Sequence, residues 1–268
     1  MSVELLAERL EAARGKLLLV VTGAGVSLAS GIPTFRGGDP GAVWANDVME
    51  MGTCEFFERD PVASWRWYGS RFARAASAKP NAAHHALVAL ERWQAARGSF
   101  LLVTQNVDGL HRAAGSRELV EVHGRADRVR CSRDGCELGA PAGSLPRSMF
   151  DDTLRRLLDD PRPEHLPRCP ACGANVRPHI LWFDELYVDH RDFEWQKVFH
   201  ACDRGRPVLF LGTSLAVGVT DLALRCALDR CAPAIVVDPA PPDLPATVDV
   251  IRAKVEELLP AVVQRLGA

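Results

Sequence analysis

Five short apolar runs, each ending in polar or turn-forming residues, constrain the fold of this chain more than any other feature. They are KLLLVVTGAG (16–25), FLLVTQNVDG (100–109), ELVEVHG (118–124), PVLFLGTS (207–214) and AIVVD (234–238). Continuous apolar runs of this length are typical of strands buried on both faces of a parallel sheet. Amphipathic patterns at 81–97, 219–230 and 253–266 predict helices, the first capped by Asn81. Alternating strands and helices predict an α/β fold with a doubly wound parallel sheet.

Two segments interrupt this alternation. Residues 36–80 are rich in Trp, Phe and Arg and predict a helical insertion, whereas residues 129–178 carry paired cysteines and many prolines and predict a smaller lobe. The remaining ranges, 1–35, 81–128 and 179–268, are assigned to a Rossmann-like sheet domain. Because both segments return to the same sheet, we expect the binding cleft between them and the sheet.

The composition excludes several classes of protein. The chain of 268 residues has a net charge of −2, so it lacks the basic excess expected for binding nucleic acid or an anionic membrane surface. No apolar run reaches the ~18 residues of a membrane span. The N-terminal MSVELLAERLEAARGK carries acidic residues, which is typical of an amphipathic helix and not of a signal peptide. We expect a cytoplasmic protein, with a monomer favoured.

Four of the eight cysteines form two close pairs, Cys131/Cys136 and Cys169/Cys172. In a reducing compartment, paired cysteines indicate a metal more than disulfides. Four thiolates are the ligand set of a closed structural zinc site. The sequence therefore predicts one structural Zn²⁺ in the smaller lobe, with an incidental cluster or a redox pair as the alternative.

The first apolar run leads into a glycine loop, GAGVSLASGIPTFRGG (23–38). It lacks the plain dinucleotide fingerprint, because Leu28 occupies the position of the last glycine, and Gly23-Ala24-Gly25 alone also suits a tight strand–helix turn. The rest of the loop is more specific evidence for nucleotide binding. Ser27 can cap a helix or bind phosphate, and Phe35-Arg36 places an aromatic ring beside a cation, which suits a nicotinamide ring and a pyrophosphate.

Two further stretches place polar groups where strands end. TQNVDGLH (104–111) brings Gln105, Asn106 and Asp108 to the carboxyl end of a strand, where ligands of α/β sheets bind, although Asn-Val-Asp-Gly is also a good turn. His123 ends ELVEVHG, and a lone histidine there is most often structural.

Together these motifs resemble the sirtuins, the NAD-dependent protein-lysine deacylases. The resemblance rests on GAGVSLASGIPTFRG (23–37), TQNVDGLH (104–111), EVHG (121–124), the four cysteines, RPHILWFDE (177–185) and GTS (212–214), in the family's order. It covers residues 15–262 and implies NAD as co-substrate, held in a bent pose by the family's own loop. The residues that it implies for NAD binding are Gly23, Ala24, Gly25, Ser27, Ile32, Phe35, Arg36, Gln105, Asn106, Val107, Asp108, Gly212, Thr213, Ser214, Asp238 and Val255.

The resemblance also implies the chemistry. Asn106 and Asp108 hold the nicotinamide amide, Asn106 counts among the catalytic residues, and His123 is the general base for the ribose hydroxyls, a role that suits an imidazole. The carbonyl oxygen of the acyl-lysine attacks C1′ of the ribose as nicotinamide leaves. His123 then activates the 2′-hydroxyl, and water completes the reaction to free lysine and 2′-O-acyl-ADP-ribose.

The substrate is implied to be an acylated lysine side chain of a protein, bound as an extended peptide by strand addition. RPHILWFDE (177–185), with Phe183, resembles one wall of the peptide groove, and GTSLAVG (212–218) resembles the opposite wall. Two positions depart from the family pattern. Asp184 replaces a glycine, which bears on the flexibility of the loop, and Asp238 replaces an asparagine near the adenine ribose.

Tyr68 and Arg71 lie three residues apart in the insertion and therefore on one face of a helix. That face is either solvated or built to hold an anion. The pair resembles one that marks the sirtuins preferring acidic acyl groups. Thr34 of this chain stands where the deacetylase-type motif has an aspartate, and that aspartate is replaced in the same subgroup as well. This predicts a desuccinylase or demalonylase, with deacetylase activity as well. An NAD-dependent mono-ADP-ribosyltransferase and a non-catalytic NAD sensor are the alternatives, and a base at His123 argues against the sensor.

Overall fold

A computed structural model describes residues 2–34 and 48–268. Within these ranges the strands are β1 (Leu17–Thr22), β2 (Ser99–Thr104), β3 (Leu119–Glu121), β4 (Gly124–Cys131), β5 (Leu145–Pro146), β6 (Val176–Ile180), β7 (Gly205–Leu211), β8 (Ala234–Val237) and β9 (Asp249–Ile251). Six of them form one parallel sheet in the order β3-β2-β1-β7-β8-β9. The five predicted strands are all present in it, and β9 was not predicted.

The described helices are α1 (Ser2–Glu11), α2 (Val48–Met51), α3 (Cys54–Arg59), α4 (Pro61–Ser77), α5 (Ala82–Ala95), α6 (Leu110–Ala114), α7 (Asp151–Asp159), α8 (Trp195–Arg204), α9 (Gly218–Asp229) and α10 (Val255–Leu266). Asn81 caps α5 as predicted, since its side chain accepts a hydrogen bond from the backbone N–H of Ala83. In the described ranges, no helix combines the length and the apolar character needed to cross a membrane.

Helices cover both faces of the large sheet, as the apolar runs predicted. Alternate residues of β1 point to opposite faces, so Leu18 and Val20 pack with α1, α5 and α10, whereas Leu19 and Val21 pack with α8 and α9. The order in which strands are added to the sheet reverses at β1: β2 and β3 follow on one side of it, and β7, β8 and β9 follow on the other. In a doubly wound sheet this reversal opens a crevice at the carboxyl ends of the strands. The doubly wound fold is thereby confirmed.

The smaller lobe is an antiparallel sheet of order β5-β4-β6 with α7 beside it. Its apolar side chains form one core with those of the insertion: Trp65 and Phe72 of α4 pack with Val129 and Val176. The indole N–H of Trp65 also donates to the carbonyl of Val176 at 2.9 Å. The two segments that interrupt the sheet pattern thus pack against each other, and Val107, just after β2, packs against their shared core.

Candidate active site and zinc centre

The segment that follows β2 and the glycine loop join four predicted cofactor residues in one network. The side-chain amide of Asn106 donates to the carbonyl of Gly23 at 3.0 Å and to the Ser27 hydroxyl at 3.1 Å. The Ser27 hydroxyl in turn donates to Asp108 Oδ2 at 2.7 Å. Asn106 and Ser27 are buried. Ser27 therefore orients Asn106 and Asp108, and its proton is directed at a carboxylate.

Asp108 is partly buried, and this burial raises the pKa of its carboxyl group. Hydrogen bonds from the backbone N–H of Leu110 and from Ser27 oppose that rise. A carboxylate held by two donors in a desolvated pocket is suited to accept a hydrogen bond from a ligand amide. This is the role predicted for it.

The backbone of the glycine loop packs directly against the backbone at the end of β7. A Cβ atom on Gly23 would lie 2.7 Å from the carbonyl oxygen of Gly212, and one on Gly25 would lie 2.8 Å from its Cα. Neither position has space for a side chain, so the two loops can pack only with glycine there. Gln105 adds a link, because its amide donates to the hydroxyl of Thr213 at 3.1 Å. Loops from β1, β2 and β7 thus form one continuous surface at the crevice.

The other predicted NAD residues are distributed as follows. Ala24, Ile32, Val107 and Asp238 are partly exposed, and Ser214 is exposed. The carboxylate of Asp238 accepts from the backbone N–H of Ala240 at 2.8 Å. The side chain of Val255 is buried in the core at the first residue of α10. Phe35 and Arg36 lie outside the described residues.

His123 stands between the two sheets, after β3 and before β4. Its Nδ1 lies 3.0 Å from the carbonyl oxygen of Gln105, which can only accept, so Nδ1 carries the proton and Nε2 has the lone pair. Burial lowers the pKa of His123 to about 4. The imidazole is therefore neutral near pH 7, the state that a general base requires.

A left-handed backbone turn that only glycine adopts easily follows His123 and fixes its position. Gly124 has φ of 80°, and a Cβ atom there would lie 2.3 Å from the carbonyl oxygen of His179. The backbone N–H of Leu181 also donates to the carbonyl of His123 at 2.9 Å. His123 is thus held at the point where the chain passes from the large sheet to the small sheet.

The four predicted metal ligands come together. Cys131 Sγ lies 3.5 Å from Cys172 Sγ, Cys136 Sγ lies 3.8 Å from Cys169 Sγ, and all four sulfurs lie within 4.8 Å of one another. A tetrahedral zinc with ~2.3 Å bonds sets sulfur–sulfur distances of about 3.8 Å. The four cysteines therefore fit one closed, structural Zn²⁺ at the far end of the small lobe from His123.

His179, His190 and Asp192 form a second group of possible ligands. The His190 ring already has partners: its Nδ1 accepts from the backbone N–H of Asp192 at 3.1 Å, and its Nε2 donates to the carbonyl of Gly143 at 3.1 Å. His179 Nδ1 has no hydrogen-bond partner among the described residues. Asp192 Oδ2 lies 3.1 Å from His179 Nε2, and this contact is the main reason why the pKa of Asp192 falls to about 2. We interpret the group as a cross-link between the small lobe and the segment before α8.

Tyr68 and Arg71 lie on one face of α4, as predicted. Tyr68 is buried among Phe72 and Trp182, with ring centroids 5.4 and 6.3 Å away. The guanidinium of Arg71 stacks on Trp67 at 3.7 Å from the ring centroid, and Nη1 donates to the Trp67 carbonyl at 2.8 Å.

The rest of the Arg71 guanidinium is poorly satisfied. Its Nε is buried and has no hydrogen-bond partner among the described residues. Desolvation lowers the pKa of Arg71, and Tyr68 opposes that shift. Within the described ranges, no carboxylate forms an ion pair with it. A half-buried cation without an anion is costly, which favours a site for a negatively charged ligand over a solvated helix face.

The predicted substrate loop contacts the insertion. Phe183 is exposed, and its backbone N–H donates to the carbonyl of Gly52 at 3.0 Å. Two buried arginines, Arg130 and Arg177, share Glu185, which also accepts from the backbone N–H of Trp182 at 2.9 Å. Burial raises the pKa of the Tyr68 hydroxyl, and Arg177 is the largest influence opposing that rise. The surroundings of Tyr68 are therefore aromatic, and they carry more arginine than carboxylate charge.

Sequence reasoning did not identify three residues of this site: Trp67, Trp182 and Tyr187. Trp67 had a readable signal, because it precedes Arg71 by four residues on a helix. Tyr187 had none that located it, although it is one of only two tyrosines in the chain. Its hydroxyl lies 3.2 Å from His123 Nε2, a contact between residues 64 positions apart.

Comparison with known proteins finds one family. Residues 23–219 match the Sir2 family. An NAD-dependent protein deacylase of Thermus thermophilus is 41% identical over 88% of this chain and 87% of its own length. One of Aeropyrum pernix is 38% identical over 85% of this chain and 83% of its own.

Solved structures agree with the sequence comparison. A complex of a Sir2 homologue with NAD aligns with a TM-score of 0.77 and 32% identity over 98% of this chain and 93% of its own. A Sir2 protein in complex with a deacetylated p53 peptide and 3′-O-acetyl-ADP-ribose aligns with a TM-score of 0.81 and 25% identity, over 99% of this chain and 98% of its own.

Proposed function

The chain belongs to the Sir2 family of NAD-dependent protein deacylases, as its motifs predicted, and we propose that it prefers acyl groups that end in a carboxylate. NAD is its co-substrate, and the four cysteines hold a structural zinc. The preferred substrates would be succinyl-lysine and malonyl-lysine in extended peptides, with acetyl-lysine removed more slowly.

The residues of the crevice support the following division of roles. Asn106 and Asp108, oriented by Ser27, bind the nicotinamide amide. The backbones of Gly23, Gly25 and Gly212 form the nucleotide surface. His123 takes a proton from a ribose hydroxyl once the acyl-lysine oxygen has displaced nicotinamide from C1′. The zinc lies away from these groups and stabilises the small lobe, which shares its core with α4.

One observation carries the acidic-acyl preference: the half-buried guanidinium of Arg71 has no anionic partner in the described ranges. Stacking on Trp67 holds this guanidinium near Tyr68, whose own ring stacks on Trp182. A terminal carboxylate can accept two charge-assisted hydrogen bonds from a guanidinium and one from the Tyr68 hydroxyl. An acetyl group offers no such acceptor and would leave the cation unpaired.

The test measures kcat/KM with NAD and a panel of acetyl, malonyl and succinyl peptides. At roughly 1.5–3 kcal/mol for each charge-assisted hydrogen bond, two such bonds alone predict a preference for succinyl over acetyl on the order of a hundredfold or more. Arg71→Met should remove that preference and keep acetyl activity. Arg66→Met is the matched control, because Arg66 is exposed on the same helix. A wild-type enzyme that removes acetyl groups fastest would contradict the proposal.

The same assay separates deacylation from ADP-ribosyl transfer. A deacylase consumes one acyl-peptide for each nicotinamide that it releases. Nicotinamide release in excess of peptide consumption, with ADP-ribose attached to protein, would indicate the transferase instead.

A further inference from the structure

Tyr187 connects the predicted base to the opposite wall of the groove. Its hydroxyl lies 3.2 Å from His123 Nε2 and 3.3 Å from the backbone nitrogen of Val219, at the start of α9. Its ring stacks on Trp195 with centroids 4.3 Å apart, and on the His123 ring at 5.8 Å. Two hydrogen bonds and two ring contacts thus hold one side chain across the groove.

The directions of these hydrogen bonds are determined. Nδ1 of His123 donates to the carbonyl of Gln105, so Nε2 is the acceptor, and the Tyr187 hydroxyl must be its donor. The N–H of Val219 can only donate, so it supplies a proton to the same phenol oxygen. One chain of donors therefore runs from Val219 through Tyr187 and His123 to Gln105, and each bond polarises the next.

This chain of hydrogen bonds restricts how His123 can accept a proton. A neutral imidazole has a single lone pair, and here the Tyr187 hydroxyl already occupies it. A ribose hydroxyl can therefore give its proton to His123 only through Tyr187 or after displacing it. The four contacts that fix Tyr187 oppose displacement, and the phenol oxygen keeps a lone pair that can accept a further proton.

We propose that Tyr187 relays the proton from the ribose hydroxyl to His123. The relay deepens the proposed function and rests on it. The ribose proton moves to the phenol oxygen while the phenol proton moves to Nε2. Tyr187 stays neutral, His123 becomes an imidazolium, and the ribose oxygen keeps the electron pair that forms its bond to the acyl carbon. Burial raises the pKa of Tyr187, which keeps the hydroxyl protonated for this role.

Tyr187→Phe tests the relay, because it removes the hydroxyl and keeps the ring that stacks on Trp195. We expect kcat for deacylation to fall on the order of tenfold to a hundredfold. Exchange of labelled nicotinamide into NAD should continue near the wild-type rate, since that step precedes the need for a base. An unchanged melting temperature would show that the fold is intact.

Two further readouts distinguish a relay from a structural role. The Tyr187 hydroxyl stabilises neutral His123, so its loss should raise the pKa of the imidazole and move the acid limb of the kcat profile to higher pH. In a His123→Ala background, Tyr187→Phe should cause no additional loss, because both residues serve one proton transfer. A structural role predicts an unmoved acid limb and losses that multiply.

If Tyr187→Phe deacylates as fast as the wild type or faster, the hydroxyl merely covers the base and steps aside. If the wild-type protein neither releases nicotinamide nor deacylates, the proposed function itself fails and the relay fails with it.

Discussion

The carboxylate of Asp184 caps the helix that begins at Cys54: both of its oxygens lie 2.8 Å from the backbone nitrogen of Cys54. The N–H of Glu55 donates to the same carboxylate at 3.2 Å. A negative charge at a helix N-terminus satisfies N–H groups that otherwise lack partners. The aspartate that replaces the family's glycine therefore ties the substrate loop to the insertion.

This contact predicts the behaviour of Asp184 variants. Asp184→Ala should lower the free energy of unfolding by about 1 kcal/mol, the usual value of a helix cap. It should also raise KM for the peptide more than KM for NAD, because the loop it anchors carries Phe183. Asp184→Asn retains a hydrogen-bond acceptor, so its stability and its peptide KM should lie between those of the wild type and of Asp184→Ala. Equal peptide KM values for wild type and Asp184→Ala would contradict the anchoring role.

Removal of the zinc should unfold the small lobe. Cys169→Ser is expected to lose the metal and to lower the free energy of unfolding by at least about 2 kcal/mol, because metal ligation joins the end of β4 to the segment before β6. Zinc content by elemental analysis and thermal unfolding measure both effects. Cys231→Ser is the control, since Cys231 is exposed and lies outside the cluster. Full zinc occupancy in Cys169→Ser would exclude the four-cysteine site.

The nicotinamide pocket can be tested at Asp108. Asp108→Asn keeps the shape and removes the charge, so the amide of nicotinamide loses a charge-assisted acceptor. We expect KM for NAD to rise roughly tenfold and inhibition by free nicotinamide to weaken by a similar factor. Asp203→Asn, an exposed carboxylate paired with Arg230 on the far side of the fold, is the control. Unaltered nicotinamide inhibition in Asp108→Asn would place the pocket elsewhere.

Acid should destabilise the protein through buried histidines. Burial lowers the pKa values of His84, His111 and His123 to about 4, 3 and 4, from an ordinary value of 6.5. Between these values the unfolded chain binds more protons, so the free energy of unfolding rises with pH. The stabilisation is complete above about pH 6.5 and is lost progressively toward about pH 4.

Urea unfolding on both sides of pH 6 measures this dependence. His84→Asn removes one titrating group and keeps a side chain that can accept from the backbone N–H of Asn81, as His84 Nδ1 does at 3.3 Å. Its stability should therefore vary less with pH than that of the wild type. A free energy of unfolding that is constant or larger on the acid side would contradict the assignment.

The sequence by itself determined the features whose spacing lies within one segment. The apolar runs predicted the strands of the large sheet, because continuous burial leaves a local pattern. The gaps within the cysteine pairs predicted the ligand set, and Tyr68 and Arg71 share a helix face because three residues nearly complete a turn. Motif order predicted the family and the positions of Asn106 and His123 at strand ends.

Only the tertiary structure decided which distant groups meet. Ser27 donates to Asp108 across 81 positions, Asp184 reaches Cys54 across 130, and Tyr187 reaches His123 across 64. Such pairs depend on strand order, on the crossing of the insertion over the small lobe and on backbone turns like that at Gly124. None of these leaves a periodic signal, because a contact between segments is determined by the packing of everything between them and not by either segment alone.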